Sequence, residues 1–148
     1  MPTYTVTTAN IALSPEEKSR IASAITAAHN THTGAPSYFA QVIFAAIAAG
    51  DHFIGGQRNT TPQVYIHGLI RAGRTDETKR TLMAQILRKA RQIAGVGAED
   101  VWVYIQDIAA GQMIEFGRFL PLPGAEAEWR KAITAQKLAD LTRAGVAV

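Results

Sequence analysis

The 148-residue sequence contains no cysteine. That absence excludes a disulfide framework, a thiolate metal site and a cysteine nucleophile. Histidine is scarce, and His29, His32, His52 and His67 show no HExxH or comparable spacing, so no metal centre is expected. Lysine and arginine outnumber the acids by three but form no run and do not interleave with aromatics. Nucleic-acid binding is therefore not expected, and a few arginines gathered for a small anionic substrate explain the surplus. No apolar run reaches membrane-spanning length, and the first residues lack the charged and apolar regions of a signal peptide. A cytoplasmic location is the expectation. With 47% apolar and 18% charged residues, the chain reads as one globular domain with a real core, residues 1–148.

What is present starts at the first residues, Met1-Pro2-Thr3-Tyr4-Thr5-Val6. With Met1 removed, Pro2 carries a free secondary amine, which serves as acid, base or nucleophile according to its pKa. With Met1 retained, the Pro2 nitrogen is a tertiary amide without a proton or useful basicity. The residues alone leave both alternatives open.

Residues 2–9 are β-branched and aromatic, which predicts a strand. Ser14-Pro15-Glu16-Glu17 starts a helix: a capping serine, a proline at the first position and a glutamate closing a capping box. Ile21, Ala24, Ile25 and Ala28 form its apolar stripe, with His29 on the same stripe near the end. Residues 30–36 read as a break, 39–44 as a second strand and 50–62 as a loop or hairpin. A third strand covers 64–70 and leads into Arg71-Ala72-Gly73-Arg74. Thr75 then caps a helix faced by Leu82, Ile86, Ala90 and Ile93, closed by the glycines after it. Residues 101–105 predict a fourth strand and Gly111 to Arg118 a short polar segment. Glu126 to Arg143 predicts one peripheral C-terminal helix.

Ile47-Ala48-Ala49-Gly50 recurs as Ile108-Ala109-Ala110-Gly111, an offset of 61 residues. The same register lays Ser14-Pro15-Glu16-Glu17-Lys18 on Thr75-Asp76-Glu77-Thr78-Lys79 and matches the strands that follow Pro2 and Pro62. The chain therefore reads as an α/β fold of two β-α-β units, about 2–61 and 62–122, with a tail over 123–148. Right-handed crossovers place both helices on one face of a four-stranded sheet. The other face is left partly bare, which predicts burial against another subunit.

Paired β-α-β units behind an amino-terminal proline resemble the tautomerase superfamily, and within it the cis-3-chloroacrylic acid dehalogenase group. The resemblance runs from Pro2 to about Trp129. It is clearest at Val42-Ile43-Phe44, His67-Gly68-Leu69 through Arg74, Trp102-Val103-Tyr104, and Gln112 through Pro121. Residues 30–36 and 51–61 depart from that group's pattern. The resemblance implies a tautomerase-like fold, a homotrimer and a reaction without cofactor or metal. It also implies a catalytic set of Pro2, His29, Arg71, Arg74, Tyr104 and Glu115. In that set Arg71 and Arg74, helped by His29, bind a small substrate's carboxylate. Glu115, aided by Tyr104, activates water as a general base, and protonated Pro2 delivers a proton to carbon.

The implied activity is hydration-dehalogenation of a cis-3-halo-unsaturated acid with accompanying tautomerase activity. The alternative is a keto–enol tautomerase acting on phenylenolpyruvate or a 2-hydroxydienoate, in which Pro2 must be neutral. A third reading, a non-catalytic trimeric binding module, goes with a retained Met1.

Overall fold

The computed structural model describes residues 2–148, so the fate of Met1 lies outside the described residues. Strand β1 (Thr3–Ala9) leads to helix α1 (Pro15–Thr33), strand β2 (Gln41–Ala46) and a hairpin of β3 (Phe53–Ile54) and β4 (Gln57–Arg58). The second unit repeats this order: β5 (Gln63–Arg71), α2 (Asp76–Ala94), β6 (Val101–Ile108), then a hairpin of β7 (Ile114–Glu115) and β8 (Arg118–Phe119). Helices α3 (Glu126–Arg130) and α4 (Ala135–Arg143) form the tail.

The four long strands make one mixed sheet in the order β2-β1-β5-β6. Pairing is parallel within each unit and antiparallel between β1 and β5. The antiparallel pair sets Thr3 opposite Leu69, so the start of β1 lies beside the end of β5. This pairing brings Pro2 and Arg71 to the same edge of the sheet.

One sheet face supplies Tyr4, Val6, Val64, Ile66 and Ile70 to a core completed by Ile21, Ile25, Leu82 and Ile86 of the two helices. The helices start as their sequences dictate. Ser14 and Glu17 form a reciprocal capping box on α1, and the Thr75 side chain accepts from the Thr78 amide on α2. The opposite face is open: Trp102 is 42% and Tyr104 53% exposed, with Ile43 on the same face also exposed.

Four expectations shift. Helix α1 continues through residues 30–33 and ends at Gly34, whose left-handed backbone (φ 69°) lets its amide close on Asn30 O. The second strand starts at Gln41, because Ser37–Phe39 form a 3₁₀ turn after Pro36. The short polar segment expected over Gly111 to Arg118 is a 3₁₀ turn (Ala110–Gln112) followed by a hairpin. The expected C-terminal helix is two short ones, with Thr134 capping the second. Nor is that tail peripheral. Ile133 is buried with Tyr38, Phe39 and Leu120 in a second apolar cluster, against which Trp129, Phe116 and Leu138 pack.

Candidate active site

Pro2, His29, Arg71 and Arg74 line one enclosed cavity of about 20 Å³, together with Phe39, Pro121 and Glu126. Each side chain arrives from a different element. Pro2 precedes β1, and its carbonyl accepts from the Gln41 amide at 3.0 Å, which fixes it between β1 and β2. Arg71 closes β5. Arg74 follows Gly73, whose φ of 107° makes the strand-to-helix turn. His29 lies on the buried face of α1, one turn from its end.

His29 is buried, and its Nδ1 lies 2.8 Å from the Tyr4 hydroxyl. Burial lowers the imidazole to about 4, and the Arg74 cation and the positive chain terminus push the same way. His29 is therefore neutral at pH 7. Burial also raises the Tyr4 phenol, so this pair carries no charge. Tyr4 sits opposite Gly68 across the β1–β5 pair, where a Cβ would come within 2.5 Å of its ring. Gly68 thus makes room for the ring that holds His29.

Arg71 is buried, and both its terminal nitrogens are engaged. Nη1 donates to Pro121 O at 2.7 Å and Nη2 to Glu126 Oε1 at 2.5 Å. Burial drives the Glu126 carboxyl up, but its bonds from Arg71 and the Gly124 amide overcome this and hold it below the usual range. Arg74 keeps a buried Nε with no hydrogen-bond partner. Burial and the neighbouring Arg71 cation lower its pKa, against the carboxylates of Glu126 and Asp107.

Glu115 and Tyr104 are not among the residues that line this cavity. Glu115 lines a neighbouring cleft with Thr3, Tyr38, Phe39 and Gln41. Burial raises its carboxyl, opposed by the positive charge of the chain terminus. Tyr104 lies on the open sheet face, edge-on to Tyr65 at 5.2 Å between ring centroids. Among the described residues no group of three or more His, Asp or Glu side chains is placed to hold a metal ion. No helix among them is long and apolar enough to cross a membrane.

Comparison with known proteins places this geometry. Residues 1–133 match the family described as putative oxalocrotonate tautomerase enzyme. A member of the cis-3-chloroacrylic acid dehalogenase family, N1, superposes with a TM-score of 0.86 at 33% identity, covering 95% of this chain and 99% of its own. The chain belongs to the tautomerase superfamily. A second solved structure, native Ps01740, shares 31% identity with a TM-score of 0.71, over 76% of this chain and 99% of that one. A wild-type fused 4-OT, described as a symmetric trimer, shares the fold with a TM-score of 0.68 at 24% identity, over 75% and 89% of the two chains. No curated protein matches the chain at the sequence level. Membership makes this chain an enzyme of that superfamily.

Two further residues that the sequence does not single out bear on the candidate site, Tyr4 through His29 and Glu126 through Arg71. Tyr4 is one alternating position of a strand, and only the register that puts it over Gly68 reveals its role. Glu126 follows the Pro121-Leu122-Pro123-Gly124 break, and its place after that rigid turn was the available signal.

Proposed function

We propose that this tautomerase-superfamily enzyme hydrates and dehalogenates a small cis-3-halo-unsaturated acid without a cofactor, using the amine of Pro2 once Met1 is removed. The observation that carries this reading is the single cavity shared by Pro2, His29, Arg71 and Arg74. Arginines grip a carboxylate through charged hydrogen bonds and draw electron density toward it, leaving the third carbon of the conjugated alkene electrophilic. The Tyr4 hydroxyl lies 2.8 Å from His29 Nδ1, and in the tautomer whose Nδ1 accepts from it, neutral His29 has an Nε2 hydrogen to give the carboxylate. Water adds through its oxygen to the third carbon while Glu115 takes a proton from it. The Pro2 ammonium gives its proton to the second carbon. The resulting halohydrin loses halide and its hydroxyl proton, yielding an aldehyde acid of the malonate semialdehyde type.

A second reading, keto–enol tautomerisation, is supported by the family match, described as putative oxalocrotonate tautomerase enzyme. Tautomerisation of an enol such as phenylenolpyruvate needs no water-activating base, only neutral Pro2 shuttling a proton between oxygen and carbon. In either reading the open sheet face is covered in a homotrimer, the assembly named for the fused 4-OT structures. Tyr104, on that face, meets a site only across such an interface.

Incubation with cis-3-chloroacrylate and with phenylenolpyruvate, for wild type and Pro2→Ala, separates the readings. Pro2-dependent halide release is expected. Ketonisation without halide release selects the tautomerase, and a mass spectrum showing retained Met1 removes both in favour of a binding module.

A further inference from the structure

A carboxylate already sits where the substrate's is expected. Arg71 Nη2 donates to Glu126 Oε1 at 2.5 Å, and Glu126 Oε2 accepts from the Gly124 amide at 2.8 Å. The cavity that Arg71 and Glu126 line holds about 20 Å³, room for roughly one water molecule. A three-carbon acid does not fit while Glu126 stays in place.

Outside the contact is an open cleft of about 630 Å³ lined by Tyr38, Arg74, Pro123, Glu126 and Arg130. Arg74 and Glu126 line both the cleft and the inner cavity. They form the partition between the two. Arg74 and Arg130 both line the cleft, so it carries two cationic side chains next to a guanidinium occupied by the chain's own acid.

We infer that Glu126 is an internal stand-in for the substrate carboxylate, and that a small carboxylate enters from the Arg74–Arg130 cleft by replacing Glu126 on Arg71. The inference rests on the proposed carboxylate-binding role of the two arginines. Exchange of one carboxylate for another keeps Arg71 paired throughout, which avoids leaving a buried guanidinium without an anion. A neutral ligand offers no such exchange, so the site selects anions by what it must give up. The contacts released at Glu126 are its bonds to Arg71 and to the Gly124 amide, while Trp129 stays anchored by its indole bond to Phe119 O. Gly124, at φ 93°, supplies the backbone freedom for that movement.

Two measurements on the full chain test this. In steady-state ketonisation of phenylenolpyruvate, Glu126→Gln is expected to lower KM roughly tenfold, the scale of one charged hydrogen bond. An unchanged or raised KM overturns the inference. Hydrogen–deuterium exchange on wild type depends on no variant's folding. Saturating propionate is expected to raise exchange across residues 121–130, whereas propionamide leaves it unchanged. Exchange that does not respond to propionate overturns the inference even where turnover is intact. Absence of Pro2-dependent turnover in wild type defeats the proposed function instead, and the exchange measurement then decides the role of Glu126 alone.

Discussion

The Tyr4 hydroxyl and His29 Nδ1 lie 2.8 Å apart in an interior where both residues are buried. Two neutral groups satisfy each other there, and neither charges without cost. His29 titrates at about 4 in the folded chain and near its ordinary 6.5 when unfolded. The unfolded chain therefore binds the extra proton between those values. The stability this residue contributes is complete above about pH 6.5 and is lost as pH falls toward 4. The full loss is about 3 kcal/mol. Urea midpoints measured from pH 7 to pH 4 are expected to fall across that window, and to fall less steeply in His29→Gln.

Tyr4→Phe keeps the ring over Gly68 and removes the hydroxyl. It leaves a buried imidazole nitrogen unsatisfied, at a cost of about 1–3 kcal/mol. The same variant frees the imidazole to rotate, so KM for a carboxylate substrate is expected to rise. Chemical denaturation and steady-state kinetics read the two effects separately.

Gly68→Ala tests the packing that holds this pair. The added Cβ meets Tyr4 Cε1 at 2.5 Å, and a buried strand offers the ring little room to retreat. Overpacking of this kind costs about 1–3 kcal/mol. A lowered Tm together with an altered His29 titration in NMR is the expected result.

Arg74→Ala and Arg71→Ala are expected to differ. Arg74 has an unused buried Nε and no hydrogen bond that ties it to the fold, so its loss raises KM by roughly tenfold or more with the melting temperature retained. Arg71 joins β5 to Pro121 and Glu126, and its removal strands a partly buried carboxylate. That variant is expected to lose about 1–3 kcal/mol of stability as well as substrate affinity. Equal melting temperatures for the two variants would contradict this division.

Trp102→Glu places a charge on the open sheet face without touching the helix-facing core. In the proposed homotrimer it puts like charges into an interface, and light scattering is expected to show a smaller species than wild type.

Much of this fold was written in local signals. Ser14, Pro15 and Glu17 mark the start of α1 because capping depends only on neighbouring residues, and the two-unit repeat is visible in Ile47-Ala48-Ala49-Gly50 and its copy. The gathering of Pro2, His29, Arg71 and Arg74 was implied by collinear resemblance, and the β1–β5 pairing explains it physically. What stayed hidden depends on distant parts of the chain. Nothing near Glu126 in sequence indicates that its partner is Arg71, and nothing near Tyr4 indicates that its ring crosses Gly68 to reach His29. The tail was misread because Ala-rich sequence predicts helix well but not where a helix stops, here before the Thr134 cap. Glu115 and Tyr104 are not among the residues that line the Pro2 cavity; a hairpin and an open face carry them, and neither position is fixed by spacing.

The repeat reaches further than its strands and helices. The hairpins at Phe53–Arg58 and Ile114–Phe119 correspond at the same 61-residue offset, and Gly56 and Gly117 share a left-handed backbone at φ 78° and 77°. In this register Gln63 is the counterpart of Pro2, buried at the start of β5 with an unpartnered side-chain amide. Its backbone nitrogen is locked in a peptide bond and has no basic lone pair. Doubling the scaffold therefore does not double the proposed chemistry: in the proposed trimer six copies of the β-α-β frame carry three Pro2 residues, so an inactivator directed at a freed Pro2 amine is expected to saturate at one equivalent per chain.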